Sequence, residues 1–159
     1  MRIAAPVCAA AALALAGCTS EFWDMDPEVR MAIPPAQASS LRIDRIEIRS
    51  SFYDPPDAFS TAFIPAFRGQ TDACARGQTA LRAVVFIHAL DRGGTLLDDE
   101  GRGRLSGSVD LIDPRGRVVG RYPLAATLPG SGGDLAERRV RLANALGAQL
   151  CREAFVPGA

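Results

Sequence analysis

The stretch Leu81–Leu90 constrains this fold more than any other, because it is apolar on both faces around the β-rich run Val84-Val85-Phe86-Ile87. A strand that hides both faces belongs in the middle of a sheet, so it needs neighbours on either side and a covering layer. The strand candidates lie before and after it. Leu41–Arg49 places Leu41 and Ile43 on one face and Ile46 and Ile48 on the other. That slip of phase at Asp44-Arg45 predicts either a β-bulge or a strand buried on both sides. Leu105–Leu124 reads as a hairpin around Asp113-Pro114-Arg115-Gly116, with proline and glycine where a type I turn followed by a positive φ takes them. Two registers compete there. A glycine bulge pairs Asp113 with Arg117. A four-residue loop instead pairs Leu111 with Val118, Val109 with Gly120 and Gly107 with Tyr122, laying the tyrosine over a glycine. Turn chemistry favours the first and apolar patterning the second.

Two helices complete the order. After Asp54-Pro55-Pro56-Asp57, phenylalanines recur every four residues at Phe59, Phe63 and Phe67, a helical stripe. Pro65 interrupts it, which predicts a short helix over 57–64 and then a turn. With Phe52 and Tyr53, this segment holds five of the nine Phe and Tyr residues. It reads either as a partner-binding surface or as a helix packing its aromatics on the sheet. From Gly132 to Phe155 runs a long C-terminal helix, with Ser131 as its cap and Asp134 completing a capping box. Its apolar face is Leu135, Leu142, Ala143, Leu146, Leu150 and Ala154, with Arg138, Arg139, Arg141 and Arg152 exposed. Small Ala143 and Gly147 let it lie close against the sheet. The predicted fold is α+β in the order β-α-β-β-β-α: one domain over 41–159, an antiparallel or mixed four-stranded sheet with the last helix packed on one face.

The N-terminus follows a different logic. Arg2 is the only charge among the first 17 residues, and Ile3–Ala16 is an apolar run of about 14 residues. That is short for a membrane span, which needs about 20, and suits a secretory leader. It ends in Leu15-Ala16-Gly17-Cys18, which resembles the lipobox of bacterial lipoproteins. The resemblance implies that residues 1–17 are a signal peptide cut away before Cys18. It also implies that the thiol and freed amine of Cys18 carry acyl chains, several of which on one residue make a durable anchor. Thr19, where many lipoproteins retained at the inner membrane have aspartate, leans towards the outer membrane, facing the periplasm. Residues 18–40 then form a flexible tether, with Pro27, Pro34 and Pro35 and no helical or strand period. Such a chain reaches about 25 Å on average and about 70 Å if pulled straight. Phe22 and Trp23 suit either the membrane interface or a place in the domain. With Cys8 removed and Cys18 acylated, Cys74 and Cys151 remain, and in an oxidising compartment they are expected to pair.

Other chemistries find little support. The formal net charge is zero, which gives no electrostatic case for nucleic acid or for a polybasic membrane patch. All 18 basic residues are arginine, which phosphate or carboxylate recognition would use but which a biased genome explains more simply. There is no Cys-x-x-Cys for redox or zinc chemistry. The single histidine, His88, shares a face with Arg82, Val84 and Phe86, and reads as structural. Asp98-Asp99-Glu100 lacks the alternation of a calcium loop. Gly101-Arg102-Gly103 with Gly107 misses the dinucleotide fingerprint, and Gly103-Arg104-Leu105-Ser106-Gly107 misplaces the serine of a nucleophile elbow. The expectation is a non-enzymatic accessory or binding module of the cell envelope, with no cofactor or metal. A protein or cell-wall partner would sit on Phe52, Tyr53, Phe59, Phe63 and Phe67 or on an exposed sheet edge. The order loosely resembles that of small envelope accessory lipoproteins. A binder of lipid or anion in a groove under the last helix is the alternative. A hydrolase comes third and requires His88 in a cleft beside a serine and an aspartate.

Overall fold

The structure, a computed structural model, describes residues 29–50, 57–88, 103–128 and 134–156. Phe52, Tyr53, Cys18, the apolar leader and most of the acidic loop lie outside these residues. A helical turn α1 (Pro35–Ala38) precedes β1 (Leu41–Ser50), α2 (Asp57–Cys74), β2 (Thr79–Ile87), β3 (Gly103–Ile112), β4 (Val118–Leu128) and α3 (Leu135–Leu150). A π-helical turn, Cys151–Phe155, continues α3. The strands lie in sequence order, with β1 parallel to β2 and the other pairs antiparallel, so the sheet is mixed. The parallel pair is the one joined through a helix, as a parallel connection requires. The order β-α-β-β-β-α is as predicted, with α1 added in front.

β2 is an inner strand, as its composition demands. Leu81, Ala83, Val85 and Ile87 enter the core, and Val84 on the opposite face is also buried. In β1 the bulge is real: the register slips at Asp44 between Ile43 and Arg45. The extra residue returns Ile46 to the face of Leu41 and Ile43, so all three reach the core.

In the hairpin, turn chemistry sets the register at the tip, and none of the three pairs that apolar patterning favoured forms. The Asp113 N–H donates to the Arg117 carbonyl at 2.9 Å, and Gly116 takes φ +81°. A bulge between Ile112 and Leu111 then shifts the ladder, so that Leu111 faces Gly120 and Val109 faces Tyr122. The pairing of Tyr122 with Gly107 does not form. Instead Tyr122, Leu124 and Ala126 all point inward with Val109 and Leu111.

α2 corrects one expectation. It runs through Pro65 to Cys74 instead of stopping at residue 64. Proline removes one ladder hydrogen bond and costs about 3 kcal/mol in a helix interior. Phe59, Phe63, Phe67 and Thr71, all fully buried, continue one inward stripe across the break, and their burial outweighs that cost. α3 corrects others. Its N-cap is Asp134 rather than Ser131, which lies outside the described residues. Leu135 is exposed, whereas Arg138 and Arg139 are buried. The Arg139 guanidinium stands 5.8 Å from the ring centre of Phe59, where a long aliphatic stem covers the aromatic. Gly147 allows close approach to α2 rather than to the sheet: a Cβ there would stand 2.8 Å from Gln70 Cβ and 3.0 Å from the Phe67 carbonyl oxygen.

The packed part of the chain also begins earlier than Leu41. Met31 pairs antiparallel with Arg121 on the free edge of β4 through two backbone hydrogen bonds, 2.9 and 2.8 Å. Ile33 and Ala38 are buried. The buried N–H of Ile33 donates to the Tyr122 hydroxyl at 2.8 Å. Arg30 lies 5.7 Å from the Tyr122 ring centre and 3.4 Å from Glu153. Residues 31–38, read from sequence as tether, are therefore an arm seated on β4 and on the turn after α3. Burial raises the Tyr122 phenol above its ordinary value, against the opposing pull of the Ile33 N–H and the Arg30 charge. Its contribution to stability is thus present below pH 10 and is lost as the pH rises through the higher folded value. Tyr122→Phe leaves a buried donor without its acceptor, and should cost about 1–2 kcal/mol. Amide exchange at Ile33 should accelerate with the fall in thermal stability; an unchanged Ile33 amide would mean that the arm is held without the tyrosine hydroxyl.

Candidate functional site: the basic margin of the sheet

The three described residues of the predicted aromatic surface are not on the surface. Phe59, Phe63 and Phe67 have no exposed area and stack in series, with ring centres 5.4 and 5.5 Å apart. A helix whose four-residue stripe faces a sheet buries that stripe, so the three rings belong to the core. The space beneath the last helix is filled by these rings together with Leu142, Leu146 and Leu150.

Cys74 and Cys151 are joined, with a Cα–Cα distance of 5.7 Å. The bond ties the end of α2 to the start of the π-helical turn. Both elements already meet along the α2–α3 contact, and the sulfurs sit at its half-buried edge.

His88 follows the last residue of β2 and is exposed. Its N–H donates to the Ser106 carbonyl at 3.0 Å, so a serine does lie opposite it. The nearest acid along β3 is Asp110, which pairs with Val84, four residues from His88 and therefore about 13 Å away. Asp110 is held by Arg121 through two hydrogen bonds of 2.6 and 2.7 Å. Among the described residues, the register thus separates His88 and Ser106 from Asp110. Among the described residues, no three His, Cys, Asp or Glu side chains converge as a metal site would need.

What the fold does assemble is a row of arginines along β1 and its neighbours. Both helices pack on one face of the sheet; on the other, Val84, Ser108 and Asp110 are buried and Phe86 half-buried, and charged side chains stand along the β1 margin. There Arg45 lies opposite Arg82 across the β1–β2 pair, and Glu47 lies between Arg45 and Arg49 along β1. All three guanidiniums converge on that one carboxylate: Arg45 at 3.0 Å, Arg82 at 3.3 Å and Arg49 at 3.5 Å. Partial burial pushes Glu47 up, but the hydrogen bond from Arg82 and the charges of Arg82, Arg45 and Arg49 hold it below the usual carboxylate range. Glu47 is therefore ionised at neutral pH, and three positive charges share one negative. The arginines remain open to solvent, with side chains 73%, 59% and 40% exposed for Arg45, Arg49 and Arg82.

The row continues around the edge of β1. Arg42, Ile43, Asp44, Arg68, Asp72, Ala75, Arg76 and Gly77 line an open depression of about 260 Å³. Arg42 pairs with the Asp44 carboxylate, and Arg68 donates to the Asp44 carbonyl at 3.2 Å, covering the backbone that the bulge leaves bare. The edge strand is thereby bulged and charged, two features that oppose pairing with a further strand. The sheet edge expected to receive a partner is therefore blunted at its Asp44 end.

Sequence reasoning had all these arginines in view and made no site of them. The signal was the alternation Arg45, Glu47, Arg49, which places three charges on one face, and the parallel partner supplying Arg82. The whole-chain charge concealed it. The described residues contain fifteen arginines and nine aspartates and glutamates, whereas the sequence as a whole is neutral. The balancing acids fall largely in two stretches, Glu21 to Glu28 and Asp91 to Glu100.

No protein family and no curated protein matches this sequence. Among solved structures, the chain is similar to a PelC dodecamer from Paraburkholderia phytofirmans, with a TM-score of 0.47 and 12% identity over 79% of this chain and 96% of that one. It is also similar to a candidate lipoprotein from Caulobacter crescentus, with a TM-score of 0.37 and 16% identity over 74% of this chain and 85% of that one. At these values the likeness transfers no residue role and no function.

Proposed function

We propose that this protein is a lipid-anchored module of the bacterial cell envelope, held at the outer membrane on the periplasmic side by acyl chains on Cys18. The domain acts as a non-enzymatic accessory or binding element, and its partner surface is the basic margin of the sheet. The observation that carries the reading is the leader ending in Leu15-Ala16-Gly17-Cys18, a charged then apolar prelude too short to span a bilayer. The Cys74–Cys151 bond agrees with an oxidising compartment. No helix among the described residues is long and apolar enough to cross a membrane, so an anchor would have to come from elsewhere in the chain.

The arm on β4 shortens the proposed tether. Only twelve residues lie between Cys18 and Met31, so the domain stands at most about 45 Å from its anchor. Growth with a palmitate analogue should label the native protein and leave Cys18→Ser unlabelled. Equal labelling of the variant would place any acyl group elsewhere and refute the assignment.

A further inference from the structure

We infer that the helix-free face around Arg45, Arg49 and Arg82 docks on the phosphate headgroups of an anionic lipid bilayer. Three guanidiniums stand on two adjacent strands around a single carboxylate, so two positive charges lack a counter-charge within the cluster. Each guanidinium is a fork of donors that matches phosphate oxygens, and Glu47 occupies only part of what the three forks offer. Half-buried Phe86 lies opposite Arg49 across the β1–β2 pair, and Val84 beside Glu47 is buried, so the exposed part of this face is its arginine margin. Exposed guanidiniums spread over two strands suit an array of headgroups better than a single chain lying in a groove. Arg42, Arg68 and Arg76 extend the positive margin around the edge of β1.

The partner's source follows from the tether, and here the inference rests on the acylation proposed above. A domain held within about 45 Å of a bilayer sees headgroups at a high effective concentration, so weak contacts suffice to orient it. Arginines near an anionic surface each strengthen binding about fivefold, the equivalent of about 1 kcal/mol.

The test uses the mature chain, residues 18–159, with Cys18→Ser and its disulfide formed. Because this chain carries no acyl group, its behaviour is independent of whether Cys18 is acylated in the cell. It should sediment at low salt with vesicles of about one-third phosphatidylglycerol in phosphatidylcholine, not with phosphatidylcholine alone, and should be released at high salt. Arg45→Gln with Arg49→Gln should weaken binding about 25-fold while leaving thermal unfolding unchanged, since both side chains are exposed. Arg115→Gln with Arg117→Gln, at the hairpin tip, should weaken it less than about threefold. Failure to bind the anionic vesicles overturns the inference, as does binding that ignores the Arg45 and Arg49 changes. Equal loss from the hairpin pair would reduce the effect to overall charge and overturn the assigned face. Binding of soluble polyglutamate, but not of vesicles, with the same arginine dependence would replace the lipid by an acidic protein.

Discussion

Truncation of Phe63 to alanine is expected to cost about 3–5 kcal/mol, the largest effect of any single side chain in this domain. The ring has no exposed area and stands between those of Phe59 and Phe67, so its removal opens a cavity and breaks both stacking contacts. It lies near the middle of α2, where the helix cannot shift to fill the gap without disturbing its packing on α3 and the adjacent disulfide. For a domain of this size, the unfolding temperature should fall by about 10–20 °C. A surface aromatic behaves otherwise, with a change within about 0.5 kcal/mol. Thermal unfolding of Phe63→Ala therefore decides between core and partner surface for the whole stripe. A loss below 1 kcal/mol would return the stripe to the surface.

Loss of the disulfide is the second large effect. Cys74 and Cys151 are 77 residues apart, and opening a loop of that length costs about 4 kcal/mol in the chain-entropy account. The bond joins two helices that pack closely without it, so the reduced native state should keep its contacts and the loss should arise from the freed unfolded chain. Cys74→Ala with Cys151→Ala should accordingly lower the denaturation midpoint in urea while native circular dichroism is retained. Reductant should produce the same shift in the parent chain and none in the double variant. A midpoint insensitive to reductant would mean that the bond is absent from the isolated protein.

Where local pattern and tertiary demand agreed, the sequence was legible. Leu41, Ile43, Ile46 and Ile48 required a phase change, and the bulge at Asp44 supplies it. Leu81–Leu90 could only be an inner strand, and β2 runs over Thr79–Ile87, two residues earlier at its start. The hairpin was ambiguous because two rules pointed to different registers; the turn register forms at the tip, and a second bulge then shifts the ladder to a register that neither rule named, still with Val109, Leu111 and Tyr122 inward. Pro65 misled because a local penalty of a few kcal/mol is decisive for an isolated helix and minor for one whose aromatic stripe is buried. Arg138 and Arg139 are buried despite their charge, and for Arg139 the reason is visible, since its guanidinium reaches over the Phe59 ring. The arm at Met31 to Ala38 has no period to read, since its order comes from Tyr122 and the edge of β4, some ninety residues away in the chain. The basic margin stayed hidden for a related reason. A net charge counts residues without regard to where the fold puts them, and here the arginines gather on one face.

The intact mass of the native protein, extracted from membranes with detergent, tests the central claim most directly. The account predicts a chain beginning at Cys18, heavier than its sequence by the acyl chains on that residue and lighter by the two hydrogens lost to the disulfide. A chain that still begins at Met1, or one that begins elsewhere without added lipid, would contradict it.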